Sequence, residues 1–394
     1  MKVNIGGRLT RGVLGGVLAA GVTATTLALS ASVATADDDR ALAWGRNNSY
    51  QLGNVSTDNF PRPVPINGLT GSEVTQLAAG GDGNGFGLAL MADGTVGAWG
   101  NNYYGSLGDG TGTNRALPVE VTNLTDVVAV AAGGNHSLAL HSDGTVSAWG
   151  YNYYGALGDG TNTNRYTPVK VNTLTDVVAI SAGEYHSLAV LANGQVWSWG
   201  LNNWGQLGDG TNTNQNSPVQ VPNLDDAREV AAGTNHSLAV LNNGQVRTWG
   251  YNGYGQLGDG TTTSRNNPGA SIVGLHQIVE VDTTANGSIA RRADGRVWAW
   301  GRNNEGQVGD GTTTDRHVPT HLAGLDDIVD VAGGANHTVA VRSDGSVYGW
   351  GSNYYGAVGN GSTADQHSPV AVLTRHSDLK QVAAPVYGDF SYTY

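Results

Sequence analysis

Hydrophobic residues in this chain come in short bursts separated by polar turn formers. Val127-Val128-Ala129-Val130 and Ser137-Leu138-Ala139-Leu140 precede a polar Asp143-Gly144, after which Val146-Ser147-Ala148-Trp149-Gly150 begins, and the same cadence returns along the chain. Runs this short, rich in β-branched residues and bounded by Gly, Asp and Asn, predict strands. No interval holds an amphipathic helical period over the length a helix needs, so helix should be nearly absent. Between each Ser-Leu-Ala-Leu-like run and the next Trp-Gly lies Asp93-Gly94, Asp143-Gly144, Asn193-Gly194, Asn243-Gly244, Asp294-Gly295 or Asp344-Gly345. Asp-Gly and Asn-Gly are the preferred centres of a two-residue type I′ turn, which needs positive φ at both positions, so each pair of runs is expected to form an antiparallel hairpin of that type.

The bursts sit inside a longer period. Trp-Gly pairs begin at Trp44, Trp99, Trp149, Trp199, Trp249, Trp300 and Trp350, with spacings of 55, 50, 50, 50, 51 and 50 residues. Units of this length, made of short strands and tight turns, cannot bury an apolar face alone, and radial repetition removes their unpaired edges. The expected fold is all-β, a seven-bladed β-propeller. The last unit ends at the strand-like Phe390-Ser391-Tyr392-Thr393-Tyr394 without its Asp-Gly turn and Trp-Gly strand, while Arg40-Ala41-Leu42-Ala43-Trp44-Gly45 supplies the missing piece. The N- and C-terminal strands should therefore share one blade and close the ring.

Composition changes this picture at the N-terminus. Lys2, Arg8 and Arg11 precede an apolar and small-residue run over residues 13–33, and Ala34-Thr35-Ala36 is followed by Asp37-Asp38-Asp39. This reads as a secretory signal peptide over residues 1–36, with the propeller over 37–394, and predicts a secreted, extracellular protein. Three of the 20 basic residues and none of the 32 acidic ones lie in that segment, so the remaining chain has a net charge of −15. With no Lys/Arg cluster, a nucleic-acid partner is not expected. No apolar stretch after residue 36 is long enough to span a bilayer as a helix, so no membrane association is expected after cleavage. The 60 glycines fit a chain dominated by turns, and with no cysteine a disulfide, a thiolate metal site and a cysteine nucleophile are all excluded.

The recurring W-G-x-N-x-x-G-x-L-G-D-G-T, P-V-x-V, V-A-A-G-x-x-H-S-L-A and D-G-x-V-x-x-W-G blocks resemble the repeats of the regulator of chromosome condensation family over roughly residues 40–394. That resemblance implies a seven-bladed propeller closed by strands from both termini. The family's eukaryotic namesake exchanges nucleotide on a small nuclear GTPase and docks on nucleosomes, a role that the signal peptide and the short inserts, at most five residues, argue against. A nearer functional analogue is the secreted bacterial propeller with similar, shorter repeats that inhibits β-lactamases, which implies a protein-binding, inhibitor-like habit in a bacterial setting.

Candidate chemistry falls on one end of the blades. In a hairpin the start of the first strand and the end of the second lie together, so the G-x-x-H segments and the loops after each Trp-Gly should share one face. Ten of the 16 tyrosines lie in the post-Trp-Gly loops. At one equivalent place the units carry Ser49, Tyr104, Tyr154, Trp204, Tyr254, Glu305 and Tyr355, and this variation on a repeating frame suggests a surface tailored unit by unit. Tyrosine and tryptophan dominate binding hot spots. The predicted partner-binding set is Tyr103, Tyr104, Tyr153, Tyr154, Glu184, Tyr185, Trp204, Asn235, Tyr254, Glu305, Asn336, Tyr354 and Tyr355. The seven repeat tryptophans are expected in the core.

His136, His186, His236 and His337 recur at one repeat position, with Phe86 and Gly287 in two other units. Spread over separate blades they should not converge on one metal ion, and a structural role is expected, each imidazole hydrogen-bonding backbone inside its own blade. The Gly-Asp-Gly-Thr segments lack acidic ligands at alternate positions and read as turns rather than calcium loops. No metal and no cofactor are expected, no G-x-S-x-G elbow is present, and no catalytic residue is assigned. The reading is a monomeric, non-enzymatic propeller that binds an extracellular protein, with an enzyme as a candidate target. Glycan or cell-wall binding by the same aromatic face, and an enzyme whose channel mouth collects acids from several blades, are the alternatives.

Overall fold

In a computed structural model of the chain, which describes residues 40–71, 73–374 and 379–394, every regular element among the described residues is a strand. The predicted signal peptide lies outside the described residues. The strands form seven antiparallel sheets, each a blade. Blade 1 runs from the channel outward as Val74–Gly80, Phe86–Met91, Val96–Gly100 and Arg115–Glu120. Blade 2 repeats this order with Val127–Ala132, His136–His141, Val146–Gly150 and Arg165–Lys170, and blade 3 with Val177–Ala182, His186–Leu191, Val196–Gly200 and Gln215–Gln220. Blade 4 begins with Ala227–Ala232, His236–Leu241 and Val246–Gly250. Blade 5 comprises Ile278–Thr284, Gly287–Arg292, Val297–Gly301 and Arg316–His321, and blade 6 Ile328–Gly333, His337–Arg342, Val347–Gly351 and Gln366–Leu373.

Blade 7 is built from both ends of the described chain, in the order Val382–Ala383, Phe390–Thr393, Arg40–Gly45, Phe60–Thr70. Leu42 pairs with Thr393 and Gly45 with Phe390, so the N-terminal strand completes the last blade as its repeat arithmetic predicts. The Tyr392 hydroxyl donates to the Gln51 carbonyl and its ring packs against Trp99 at 5.5 Å, joining this shared blade to blade 1.

The core lies between blades rather than within them. Leu138, Val146 and Ala148 of blade 2 meet Ala189 and Trp199 of blade 3, and Leu42 and Trp44 of blade 7 meet Val339 and Val347 of blade 6. The second strand of a blade is therefore buried on both faces, which is why it reads His-Ser-Leu-Ala-Leu rather than alternating with polar residues. All seven repeat tryptophans are buried, and each indole N–H donates to a backbone carbonyl in the loop of the preceding blade. Trp149 reaches Ser106 O and Trp199 reaches Ala156 O at 2.8 and 2.7 Å, and Trp44 reaches Ala357 O at 2.8 Å across the closing seam. The loop can come this close because Gly108 has φ +65 and no side chain: a β-carbon there would stand 2.9 Å from the Trp149 indole nitrogen.

The hairpins differ from expectation in one respect. Gly144 has φ +77, but Asp143 is not in the left-handed region, and the same holds for the other Asp-Gly and Asn-Gly pairs. The bonds Gly144 N to His141 O and His141 N to Thr145 O, both 2.9 Å, enclose a three-residue loop. That is a type I turn with glycine at a G1 bulge, not a two-residue type I′ turn. Asp143 Oδ1 accepts from Thr145 N at 2.9 Å and from its hydroxyl, so the aspartate secures the turn from outside instead of adopting positive φ itself. Blade 4 departs as well. Its P-V-x-V segment is replaced by Pro268-Gly269-Ala270-Ser271, and only an isolated bridge, Gly250 with Arg265, stands where the fourth strand would be.

Candidate binding face

Each loop after a Trp-Gly pair is organised by one asparagine. Asn102 Oδ1 accepts from Leu107 N at 3.0 Å, while Asn102 Nδ2 donates to Asp109 Oδ1 at 2.9 Å and to the carbonyls of Thr111 and Thr113, both at 3.1 Å. Asn152, Asn202, Asn252, Asn303 and Asn353 repeat the arrangement, fully buried. Asp109 in turn accepts from Thr111 N and, through Oδ2, from Arg115 Nε at 2.7 Å, so the Gly-Asp-Gly-Thr carboxylate is spent on its own loop. The asparagine was visible in the repeat as the N of W-G-x-N, but its role appears only when the loop folds round it.

This scaffold lifts the residues between Asn102 and Leu107, and their counterparts, to the rim. Tyr103, Tyr153 and Tyr354 are 69%, 65% and 75% exposed, and Trp204 is 47% exposed. Tyr104, Tyr154, Tyr254, Tyr355 and Glu305, which share the repeat place of Trp204, are half-buried, as are Glu184, Tyr185, Asn235 and Asn336 of the loops leading out of the inner strands. Asn235 and Asn336 accept from Gln206 Nε2 and Gln307 Nε2 of the preceding blade's loop at 3.1 and 3.3 Å, which braces them in place.

The structure brings six of the tyrosines together. Tyr104 meets Tyr103 at 4.8 Å and Tyr151 at 4.7 Å between ring centroids, and Tyr151 meets Tyr153, Tyr154 and Tyr185 at 6.4, 6.3 and 5.7 Å. Tyr154 and Tyr185 close the group at 5.3 Å, so one aromatic patch spans loops of blades 1, 2 and 3. Tyr151, one of the ten loop tyrosines but outside the predicted contact set, is its hub. Glu184 lies at the patch margin, where burial outweighs a hydrogen bond from Tyr185 and pushes its carboxyl up to about 7. Trp204 pairs with Tyr251 at 4.7 Å in a second, smaller group, and Tyr354 and Tyr355 pair apart from both at 4.8 Å.

The histidines correct the expectation of bonding within each blade. His136 Nε2 bonds Ser187 Oγ of the next blade at 2.9 Å, and His186, His236 and His337 reach Ser237, Ser288 and Ser391 at 3.0, 3.1 and 2.8 Å. Each serine hydroxyl donates onward to a backbone carbonyl, as Ser187 does to Ala156 O at 2.9 Å, so it accepts from the imidazole Nε2–H. Burial pushes His136, His236 and His337 down to about 4 and His186 to about 3. These are His–Ser pairs, but both members are fully buried and no substrate atom can reach the hydroxyl.

A cavity of about 220 Å³ lies where the inner strands converge on the channel. Blades 4, 5 and 6 line it with Glu229, Glu280, Asp282 and Asp330. Each accepts a backbone N–H from the following blade: Glu229 from Val281 at 2.9 Å, Glu280 from Val331 at 3.3 Å, Asp282 from Gly333 at 3.0 Å and Asp330 from Val382 at 2.7 Å. Gln76 and Gln381 do the same for Val130 and Leu77 at 2.9 and 3.0 Å. Burial pushes Glu229 up to about 8, Asp282 up to about 7 and Asp330 well above the carboxylate range. Acids do collect in the channel, then, but as inter-blade clasps. Among the described residues no three His, Asp or Glu side chains gather as metal ligands.

A sequence profile described as the RCC1-like domain matches residues 13–273 and, overlapping, 127–391. RUG3, a mitochondrial RCC1 domain-containing protein of Arabidopsis thaliana, is 36% identical over 83 residues, covering 21% of this chain and 18% of that protein. The Arabidopsis ultraviolet-B receptor UVR8 is 36% identical over 81 residues, again covering 21% and 18%. These alignments span less than a fifth of either relative. Among solved structures, Prp20p of Saccharomyces cerevisiae superposes with a TM-score of 0.78 at 25% identity, covering 90% of each chain. Human WBSCR16 superposes with a TM-score of 0.78 at 24% identity, covering 90% of this chain and 98% of that one. With the profile extending over all seven blades and the repeat blocks recurring in order, the chain belongs to the RCC1-like domain family, the proteins built from regulator of chromosome condensation repeats.

Proposed function

We propose that this chain is a secreted, non-enzymatic propeller that captures an extracellular protein through the aromatic loop face, in the manner of an inhibitor. The observation that carries this reading is the patch of six contacting tyrosines with Tyr103 and Tyr153 exposed on its crest. Large amphipathic rings held rigid by buried asparagines offer contact area at little cost in conformational entropy. The solved structure of Prp20p concerns its binding to Gsp1p and histones, and another has yeast RCC1 bound to Kap60, so protein capture is a use to which this fold is put. Secretion rests on the residues 1–36 pattern and is tested by sequencing the N-terminus of exported protein, which should begin at Asp37.

The test of the face is a comparison of the exported protein with Tyr103→Ala/Tyr153→Ala/Trp204→Ala as bait in culture medium. Binding is then remeasured between purified bait and each captured protein. Loss of a partner by the triple variant, with an unchanged melting temperature, supports the reading; equal capture overturns it. A glycan array that lights up with wild type and not with the variant would transfer the same face to carbohydrate.

A further inference from the structure

The first residue of the post-Trp-Gly loop has a use that the molecule displays twice. Arg46 of blade 7 lies over the ring of Tyr355 in blade 6, its guanidinium carbon 4.8 Å from the centroid. Arg302 of blade 5 lies likewise over Tyr254 in blade 4, at 5.3 Å. In blades 2 and 3 the same position holds Tyr151 and Leu201, so neither Tyr104 nor Tyr154 receives a cation from its neighbour. Two carboxylates stand in the same patch, close to Tyr151 and Tyr185. Asp82 reaches from blade 1 to accept from Asn135 Nδ2 at 2.7 Å. Glu184 leans back from blade 3 over Gly134, whose N–H donates to the Glu184 carbonyl at 3.1 Å and where a β-carbon would stand 3.1 Å from Glu184 Cγ. Both acids thus converge above residues 133–135 of blade 2, next to Tyr151 and Tyr185. Among the described residues neither has an ion-pair partner.

We infer that the tyrosine–carboxylate patch of blades 1–3 receives an arginine side chain of the protein partner, its guanidinium lying on the ring of Tyr104 or Tyr154 and donating to Asp82 and Glu184. This inference rests on the proposed protein-binding role and names the chemistry recognised. Arginine suits the site better than lysine because its planar fork stacks on a ring and bonds carboxylates at once. The strongly acidic chain would also draw a basic loop toward it.

The probes are acetyl-Gly-Arg-Gly-amide and its citrulline counterpart, which keeps shape and loses charge. Each is titrated into ring-labelled exported protein and followed through the tyrosine NMR signals. The arginine peptide should shift Tyr104, Tyr151 and Tyr154 saturably, and citrulline should bind at least about tenfold more weakly, the scale of a charge-assisted hydrogen bond. Asp82→Asn/Glu184→Gln should lose a similar factor. Asp126→Asn/Asp225→Asn, which removes two carboxyl groups among the loops of the opposite face, should lose almost none. Equal binding of the two peptides, equal binding by the two double variants, or no saturable shift up to the solubility of the peptide would overturn the inference. If a partner is lost by Tyr103→Ala/Tyr153→Ala/Trp204→Ala but held at full affinity by Asp82→Asn/Glu184→Gln, the protein-binding face stands and the arginine assignment falls.

Discussion

At the third position of the inner strand, blades 2 and 3 carry Ala129 and Ala179, whereas blades 4, 5 and 6 carry Glu229, Glu280 and Asp330. On the loop face the asymmetry runs the other way. Among the described residues, Asp82 and Glu184 of blades 1 and 3 have no ion-pair partner and the tyrosines near them no arginine cap, while Tyr254 and Tyr355 of blades 4 and 6 are capped by Arg302 and Arg46. Both halves keep the same tryptophan-to-carbonyl bonds and the same asparagine-centred loops. The tryptophan and asparagine bonds recur in both halves because they reach backbone whose geometry repeats, whereas the channel position clasps its neighbour's backbone only where a unit carries an acid or amide there. In one sector arginines of the chain itself cap the loop tyrosines, and in the other tyrosines and acids meet without a cation among the described residues.

The shared frame can be broken most severely at the seam. Deleting residues 41–45 removes the central strand of blade 7 and its pairing with Phe390–Thr393. Cooperative thermal unfolding should then be lost, and an unchanged melting temperature would rule the closure out. Next in size, Trp149→Ala in the uncapped sector and Trp300→Ala in the capped one should each cost about 3–5 kcal/mol in denaturant unfolding, because both leave a cavity between blades. A clear difference between the two would show that the halves do not rest on one frame.

Two pH windows sharpen the comparison further. The four buried histidines hold pKa values of about 3 to 4 against 6.5 in the unfolded chain, so the stability they confer is complete above 6.5 and lost as pH falls through 4. His186→Phe, which copies Phe86 of blade 1, should be less stable than wild type at pH 7, and the gap should narrow below pH 6.5 and close as pH falls to about 3. The channel acids of blades 4–6 act in the opposite sense. Glu229 and Asp282 are raised to about 8 and 7, so their contribution is complete below the unfolded values near 4 and gone once pH has risen through 7 to 8. Asp282→Asn keeps an acceptor for Gly333 N but cannot ionise, and its melting temperature should gain on that of wild type as pH rises from 4 to about 7 and hold level above that. Smallest of all, Tyr153→Ala on the exposed crest should change stability by no more than about 0.5 kcal/mol while weakening partner capture.

Much of the fold was legible because the repeat is read seven times over: the blade count, the missing strand supplied by residues 40–45 and the core tryptophans all follow from periodicity. The hairpin type was misjudged because Asp-Gly suits both a two-residue I′ turn and the last two places of a three-residue bulged loop. Only the register of His141 with Thr145 decides between them. The histidine partner was missed because it lies on the next blade, about fifty residues away, where no single unit displays it. The channel acids were foreseen as a class but not by residue; the departure of Glu229, Glu280 and Asp330 from alanine at one repeat position was the available signal.

The sequence by itself determined how many blades form, what they bury and how the ring closes, since these depend on local strand and turn preferences summed over identical units. Tertiary structure decided which tyrosines touch, which arginines cover them and which carboxylates clasp a neighbour's backbone or gather beside the tyrosines. Those outcomes depend on the offset between adjacent blades, a few ångströms of lateral placement that no single repeat encodes.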